Sequence, residues 1–259
     1  MRKLLLTSLL LVFVSAAYIS CTKEQASETE VSKTENTIPI SDYGFYHNEA
    51  LELYYKNHGS VSGKTTAVII EEMTADLKAK YPEKFKNVNI EEIKLAFKDV
   101  DPKKFDINLF WKSQKPGLLA SNKISSKMGA FVDDVLKDDL KYEQYIAKAN
   151  EFNTNSLLTS DEKDGLVIFT NVIKSSNEYW SLQINPTGKT ANKPGSKVIV
   201  ADTLGALMFA YSGPGAIIAG GISSLFVNEA LPPMQVPVDE IGPLDPDVPA
   251  NPDPIFIGE

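Results

Sequence analysis

Between Ser41 and Ile184 apolar residues recur three and four positions apart, the spacing that gathers them on one side of an α-helix. Ser41 and Asp42 can cap a first helix running through Ala50 and Leu53 to about Lys56, and the glycines at 59 and 63 break it. Ile70, Met73, Leu77 and Tyr81 form the next stripe, which Pro82 stops. Asn89 caps a helix whose first turn holds Glu91 and Glu92 and whose stripe is Ile90, Ile93 and Phe97. Asp101-Pro102 predicts another helix start, with Phe105, Leu109 and Trp111 on its apolar side. Ile124, Met128, Phe131 and Val135 share a face, as do Tyr142, Ile146 and Ala149. Thr159 and Glu162 make a capping box ahead of a long amphipathic stretch aligned on Leu166, Phe169, Ile173 and Trp180. No comparable run alternates with period two and hairpin turn signals are missing, so the pattern predicts an all-α domain, a bundle of about seven amphipathic helices.

After a turn-rich break between Ile184 and Ser196 the pattern changes. From Thr203 to Asn228 the chain carries no charge, and small residues stand four apart: Ala201 with Gly205, Ala206 with Ala210, and Ala216 with Gly220 and Ser224. On a helix that spacing makes a smooth strip against which a second helix can lie closely. Gly213-Pro214-Gly215 interrupts the run, which predicts two short helices forming a glycine-rich hairpin over residues 198–228. The hairpin is expected to be the buried centre of the helical domain, apolar on every side because other helices surround it. The alternative is membrane insertion. Each arm is too short to cross ~30 Å of hydrocarbon alone, and Asp202, Tyr211 and Ser212 would need partners there.

The two ends of the chain differ from this body. Arg2 and Lys3 precede an uncharged apolar run from Leu4 to Val14, and small residues follow at Ser15, Ala16 and Ala17. Residues 1–20 therefore read as a secretory signal peptide. Cys21, the single cysteine, stands where the lipobox of bacterial lipoproteins places its lipid-bearing cysteine, and the segment resembles that family, with Tyr18 and Ser20 where Leu and Ala or Gly are usual. The resemblance implies acylation at Cys21, palmitate-type chains and a membrane anchor. Ordinary cleavage after Ala16 or Ala17 is the alternative. Residues 21–40 are rich in Ser, Thr, Glu and Lys with almost nothing to bury, and read as a flexible tether. Residues 231–259 hold eight of the fifteen prolines and six acids with no Lys or Arg, an acidic tail that is either disordered or laid over the body.

Composition and charge close off several functions. The chain has 259 residues, 43% hydrophobic and 23% charged, within the range of a folded protein. Of the net charge of −8, the tail carries −6 and residues 41–230 only −2, so no basic field is present for nucleic acid. Gly63-Lys64-Thr65 and Gly188-Lys189-Thr190 match only the end of a phosphate-binding loop, since His58 and Gln183 stand where the first glycine belongs, and no nucleotide site is expected. Val198 to Asp202 resembles an apolar run ending in a magnesium-holding Asp in the same superficial way. His47 and His58 are the only histidines, and on one helix they would lie ~16 Å apart, too far to share a metal. His47-Asn48 reads as a buried hydrogen-bonding pair near a helix start. Trp111 and Trp180 lie on apolar stripes and read as core rather than as sugar-stacking platforms. Neither a catalytic constellation nor a cofactor or metal site is expected.

Gly44 with Tyr46-His47-Asn48 at the first helix, Asp202-x-x-Gly205-Ala206 and the glycine-rich stretch after it resemble a set of uncharacterised lipoproteins from Bacteroidota-type bacteria. That resemblance implies the same localisation and lends no activity. The expected function is a lipid-anchored cell-envelope protein acting as a binding module for an envelope partner, at the outer membrane or cell surface rather than the inner membrane. A membrane-active or antibacterial protein inserting its hairpin, and an envelope hydrolase, are the alternatives.

Overall fold

The computed structural model describes residues 38–137, 140–155, 157–182 and 196–231. These fold into ten α-helices: α1 Tyr43–His58, α2 Thr66–Lys80, α3 Pro82–Phe85, α4 Ile90–Ala96, α5 Ile107–Ala120, α6 Ser126–Lys137, α7 Tyr142–Asn155, α8 Ser160–Leu182, α9 Ser196–Met208 and α10 Gly215–Ala230. Short 3-10 turns occupy Ile40–Asp42, Pro102–Lys104 and Ala210–Ser212, and no strand occurs among the described residues. The protein is all-α. Residues 1–37, which hold Cys21 and the segments expected to be signal peptide and most of the tether, residues 183–195 and those from 232 on lie outside the described residues.

Local chemistry sets several of the helix ends. Thr159 and Glu162 form the capping box reciprocally: the Thr159 N–H donates to Glu162 Oε2 at 2.8 Å and the Glu162 N–H to Thr159 Oγ1 at 3.3 Å. Asn89 Oδ1 accepts from the Glu91 N–H at the start of α4, and Gly59 at φ +74° ends α1. Two boundaries differ from the sequence expectation. Pro82 does end the α2 pattern, but it also opens the one-turn α3, because a proline at a first helical position loses no hydrogen bond there. Asp101-Pro102 starts only a 3-10 turn. The helix begins at Ile107, capped by Asp106, whose Oδ1 accepts from the Asn108 and Leu109 N–H groups at 2.8 and 3.0 Å. The later start rotates the apolar face, so Phe110 joins Trp111 inside while Leu109 is 65% exposed.

The centre of the fold is a ring of four helices in which α9 packs on α8 and α10, and α1 packs on α8 and α10. Residues 198–209, reaching just past the end of α9, and 215–227 of α10 are buried without a break. Phe97, Phe105, Phe110, Phe209 and Phe226 cluster at one end of this pair, with Phe97 stacked on Phe110 at 4.4 Å between ring centres. A Cβ on Gly205 would stand 2.8 Å from the Ala219 carbonyl oxygen, and one on Gly220 would stand 2.9 Å from that of Asp202. Those distances leave no room for a side chain, so the α9–α10 approach depends on the two glycines. The turn between the helices uses Gly213 at φ +61°, a conformation that L side chains rarely adopt. Tyr211 at that turn donates its hydroxyl to Glu92 at 3.0 Å, and Ser212 Oγ donates to the Phe209 carbonyl at 2.7 Å. No helix among the described residues is long and apolar enough to cross a membrane.

Candidate functional site

Each of the four central helices sends a polar side chain to one point. α1 contributes His47, α8 Ser176 and Trp180, α9 Asp202 and α10 Ser224; His47, Ser176, Asp202 and Ser224 have no exposed surface at all. Asp202 Oδ2 accepts a hydrogen bond from the Ser176 hydroxyl and another from the Trp180 indole N–H at 3.3 Å. The same oxygen stands 3.6 Å from His47 Nε2. Gly220 permits the approach, since a Cβ there would meet His47 Cδ2 at 3.3 Å as well as the Asp202 backbone.

The hydrogen bonds fix where protons can sit. Asn48 Nδ2 donates to the Ser175 carbonyl at 2.8 Å, which turns Asn48 Oδ1 toward His47 Nδ1 at 3.2 Å. An amide oxygen only accepts, so Nδ1 must carry the imidazole proton. A neutral His47 then presents a bare lone pair at Nε2 to a carboxyl oxygen. Burial pushes His47 down to about 4, against a smaller upward pull from the Asn48 bond. Burial also pushes Asp202 up to about 7, against downward pulls from Ser176, Ser224, Trp180 and its own backbone. Ser224 helps the carboxylate only by proximity, because its Oγ, like Asp202 Oδ1, His47 Nε2 and Ser223 Oγ, forms no hydrogen bond. The pair is therefore not an ordinary ion pair. Each member is held toward its uncharged form.

The second histidine sits in a different cluster. His58 Nε2 lies 3.0 Å from Asp76 Oδ2 and its Nδ1 lies 3.5 Å from Glu72 Oε1. Lys64 donates to Glu72 at 2.7 Å, Tyr54 to the same carboxylate at 3.2 Å, and Asn57 to Asp76 at 2.8 Å. This cluster opens to solvent, with His58 at 23% side-chain exposure. Among the described residues no group of three or more His, Cys, Asp or Glu side chains is arranged to hold a metal ion. An open groove of about 690 Å³ lies between the start of α2, α4 and the turn after it, lined by Ala67, Leu95, Val100 and Pro102 with Lys94 and Lys98. Lys94 is tied to Glu71 at 2.7 Å and to Glu91 at 3.0 Å.

The partial phosphate-loop match at Gly63-Lys64-Thr65 has structural work instead: Lys64 binds Glu72, and Thr65 Oγ1 accepts from the Val68 N–H to cap α2. The other partial match, at 188–190, lies outside the described residues. Val198 to Asp202 is helical and buried, and its Asp faces His47 rather than a loop. Trp111 is buried at 2% exposure and donates to Asp133 at 2.8 Å, while Trp180 belongs to the Asp202 cluster. Cys21, the lipid-attachment candidate, lies outside the described residues.

Sequence reasoning finds His47-Asn48 and finds Asp202, but it does not join them; it passes over Ser176 and takes Ser224 only as a small residue of the packing strip. The available signal is Asp202 itself, a carboxylate at the edge of a long uncharged run that a buried helix can hold only with partners. The two motifs grouped by resemblance, Gly44 to Asn48 and Asp202 to Ala206 with the glycines after it, meet at this one cluster. No protein-family model matches the chain, and neither a curated protein nor a solved structure is found similar to it.

Proposed function

We propose that this chain is an exported, lipid-anchored envelope protein whose helical body works by binding rather than by catalysis. The observation that carries this reading is the sealing of the His47–Asp202 cluster at the centre of four helices, where no substrate could reach it. General acid–base and nucleophilic work require the reacting proton or atom within hydrogen-bond reach of a substrate. The open groove beside α4 offers apolar side chains and lysines instead, a lining suited to contact. In this reading Cys21 bears the acyl chains, residues 21–37 serve as a tether shorter than the expected 21–40 because Ile38 is buried in the body, and residues 231–259 form an acidic extension beyond a body whose glycine-rich hairpin stays in the core. Two or three acyl chains, each methylene worth ~0.8 kcal/mol of burial, make such an anchor long-lived.

The test is the intact mass of the mature protein extracted from membranes. A chain beginning at Cys21 with a diacylglyceryl adduct is expected. A chain beginning at Tyr18 or retaining Met1, with an unmodified thiol, overturns the anchored reading. Leakage from liposomes on adding the full chain would count for the membrane-active alternative, and intact liposomes are expected.

A further inference from the structure

We propose that His47 and Asp202 share a single proton as a neutral acid–base pair, and that this pair is the latch holding the glycine-rich hairpin of α9 and α10 against α1. The geometry requires a donor between them. Nδ1 is committed to Asn48, so Nε2 can only accept, and Asp202 Oδ2 already accepts from Ser176 and Trp180. With an ionised carboxylate, acceptor would face acceptor across 3.6 Å inside a fully buried site. One proton on Oδ2 turns that repulsion into an attraction and gives His47 Nε2, one of the four unbonded buried atoms, a donor to face. Transfer of the same proton to Nε2 would create two buried charges from none, which burial opposes on both sides.

The latch has an unusual consequence for pH. The titratable groups that face Asp202 are His47 and Tyr55 on α1 and Tyr179 on α8; α10 presents the Ser224 hydroxyl, and Lys197 on α9 itself is exposed. Both tyrosines are pushed upward by burial and stay neutral throughout the window. Taken alone, Asp202 is raised on folding from 3.8 to about 7, so its stability contribution is complete below 3.8 and is lost as pH rises toward 7. His47 alone is lowered from 6.5 to about 4, so its contribution is complete above 6.5 and is lost as pH falls toward 4. Together the folded pair holds one proton between about 4 and about 7. The unfolded chain also holds one between the ordinary values of 3.8 and 6.5, on its histidine. The two slopes cancel. Neither residue buried by itself would give that result.

The experiment is chemical unfolding of the full chain across this window for the native sequence, H47Q, D202N and the double variant H47Q/D202N, which carries the contribution of every other group. Relative to the double variant, D202N should lose stability toward acid, its unfolding constant rising on the order of a hundredfold between about pH 6.5 and 4. H47Q should lose it in the opposite direction, by a similar factor between about pH 4 and 7, and the native chain should change by less than about tenfold. Equal slopes in the two single variants, or a native slope as steep as either, overturns the proposal. Should a single variant fail to fold, the infrared spectrum of the native chain decides: at about pH 5.5 a protonated carboxyl band is expected that falls away as pH rises past about 7. A spectrum without that band overturns it.

Discussion

His47 and His58 lie eleven residues apart on one helix, and both face carboxylates, yet their surroundings are opposites. His58 meets Asp76 and Glu72 at the surface, with Lys64 and Tyr54 beside them. Water and a neighbouring cation solvate that arrangement, so its net charge costs little and its removal costs little. His47 meets Asp202 with no exposed surface on either side chain. There a charge has no solvent to fall back on, and the pair persists only because its proton count leaves both groups uncharged while Ser176 and Trp180 bind Asp202 Oδ2 and Asn48 binds His47 Nδ1. The same residue types thus serve as a solvated ornament in one place and as the keystone of four helices in the other.

Substitutions should widen that contrast in a definite order. Gly205→Leu is expected to be the most damaging, above ~3 kcal/mol and enough to stop folding, because even a Cβ there lies 2.8 Å from the Ala219 carbonyl oxygen. Asp202→Ala should come next at ~3 kcal/mol, since it strips the acceptor from two buried donors, Ser176 and Trp180. At the surface, Asp76→Asn should cost less than ~1 kcal/mol, and added salt should erase most of that. Leu95→Asp, at a position 65% exposed in the open groove, should leave stability within ~0.5 kcal/mol of the native chain. Urea unfolding midpoints at constant slope check all four. An Asp76→Asn loss as large as that of Asp202→Ala would dissolve the contrast between the two clusters.

The all-α character and many helix ends are legible in the sequence because their causes are local. Thr159 and Glu162 sit three apart and bond each other, and Ile70, Met73 and Leu77 are spaced to share a face that is buried. Phase is harder than existence. Pattern alone misplaces the α5 stripe because Asp101 and Asp106 are both plausible caps, and only the fold decides that the helix starts after the second. In α7 the spacing favours Tyr142 and Ile146 over Tyr145, although Tyr145 is the residue at 2% exposure. The His47–Asp202 meeting lies beyond reach for another reason: its members are 155 residues apart, and no propensity or spacing encodes which helices become neighbours.

The shared proton can be observed at the imidazole itself. In the full chain labelled with nitrogen-15 histidine, nuclear magnetic resonance at about pH 5.5 should find His47 neutral, with its proton on Nδ1 and an accepting Nε2. A His47 imidazolium at that pH, or a proton resident on Nε2, would contradict the account and leave Asp202 as a buried carboxylate ion.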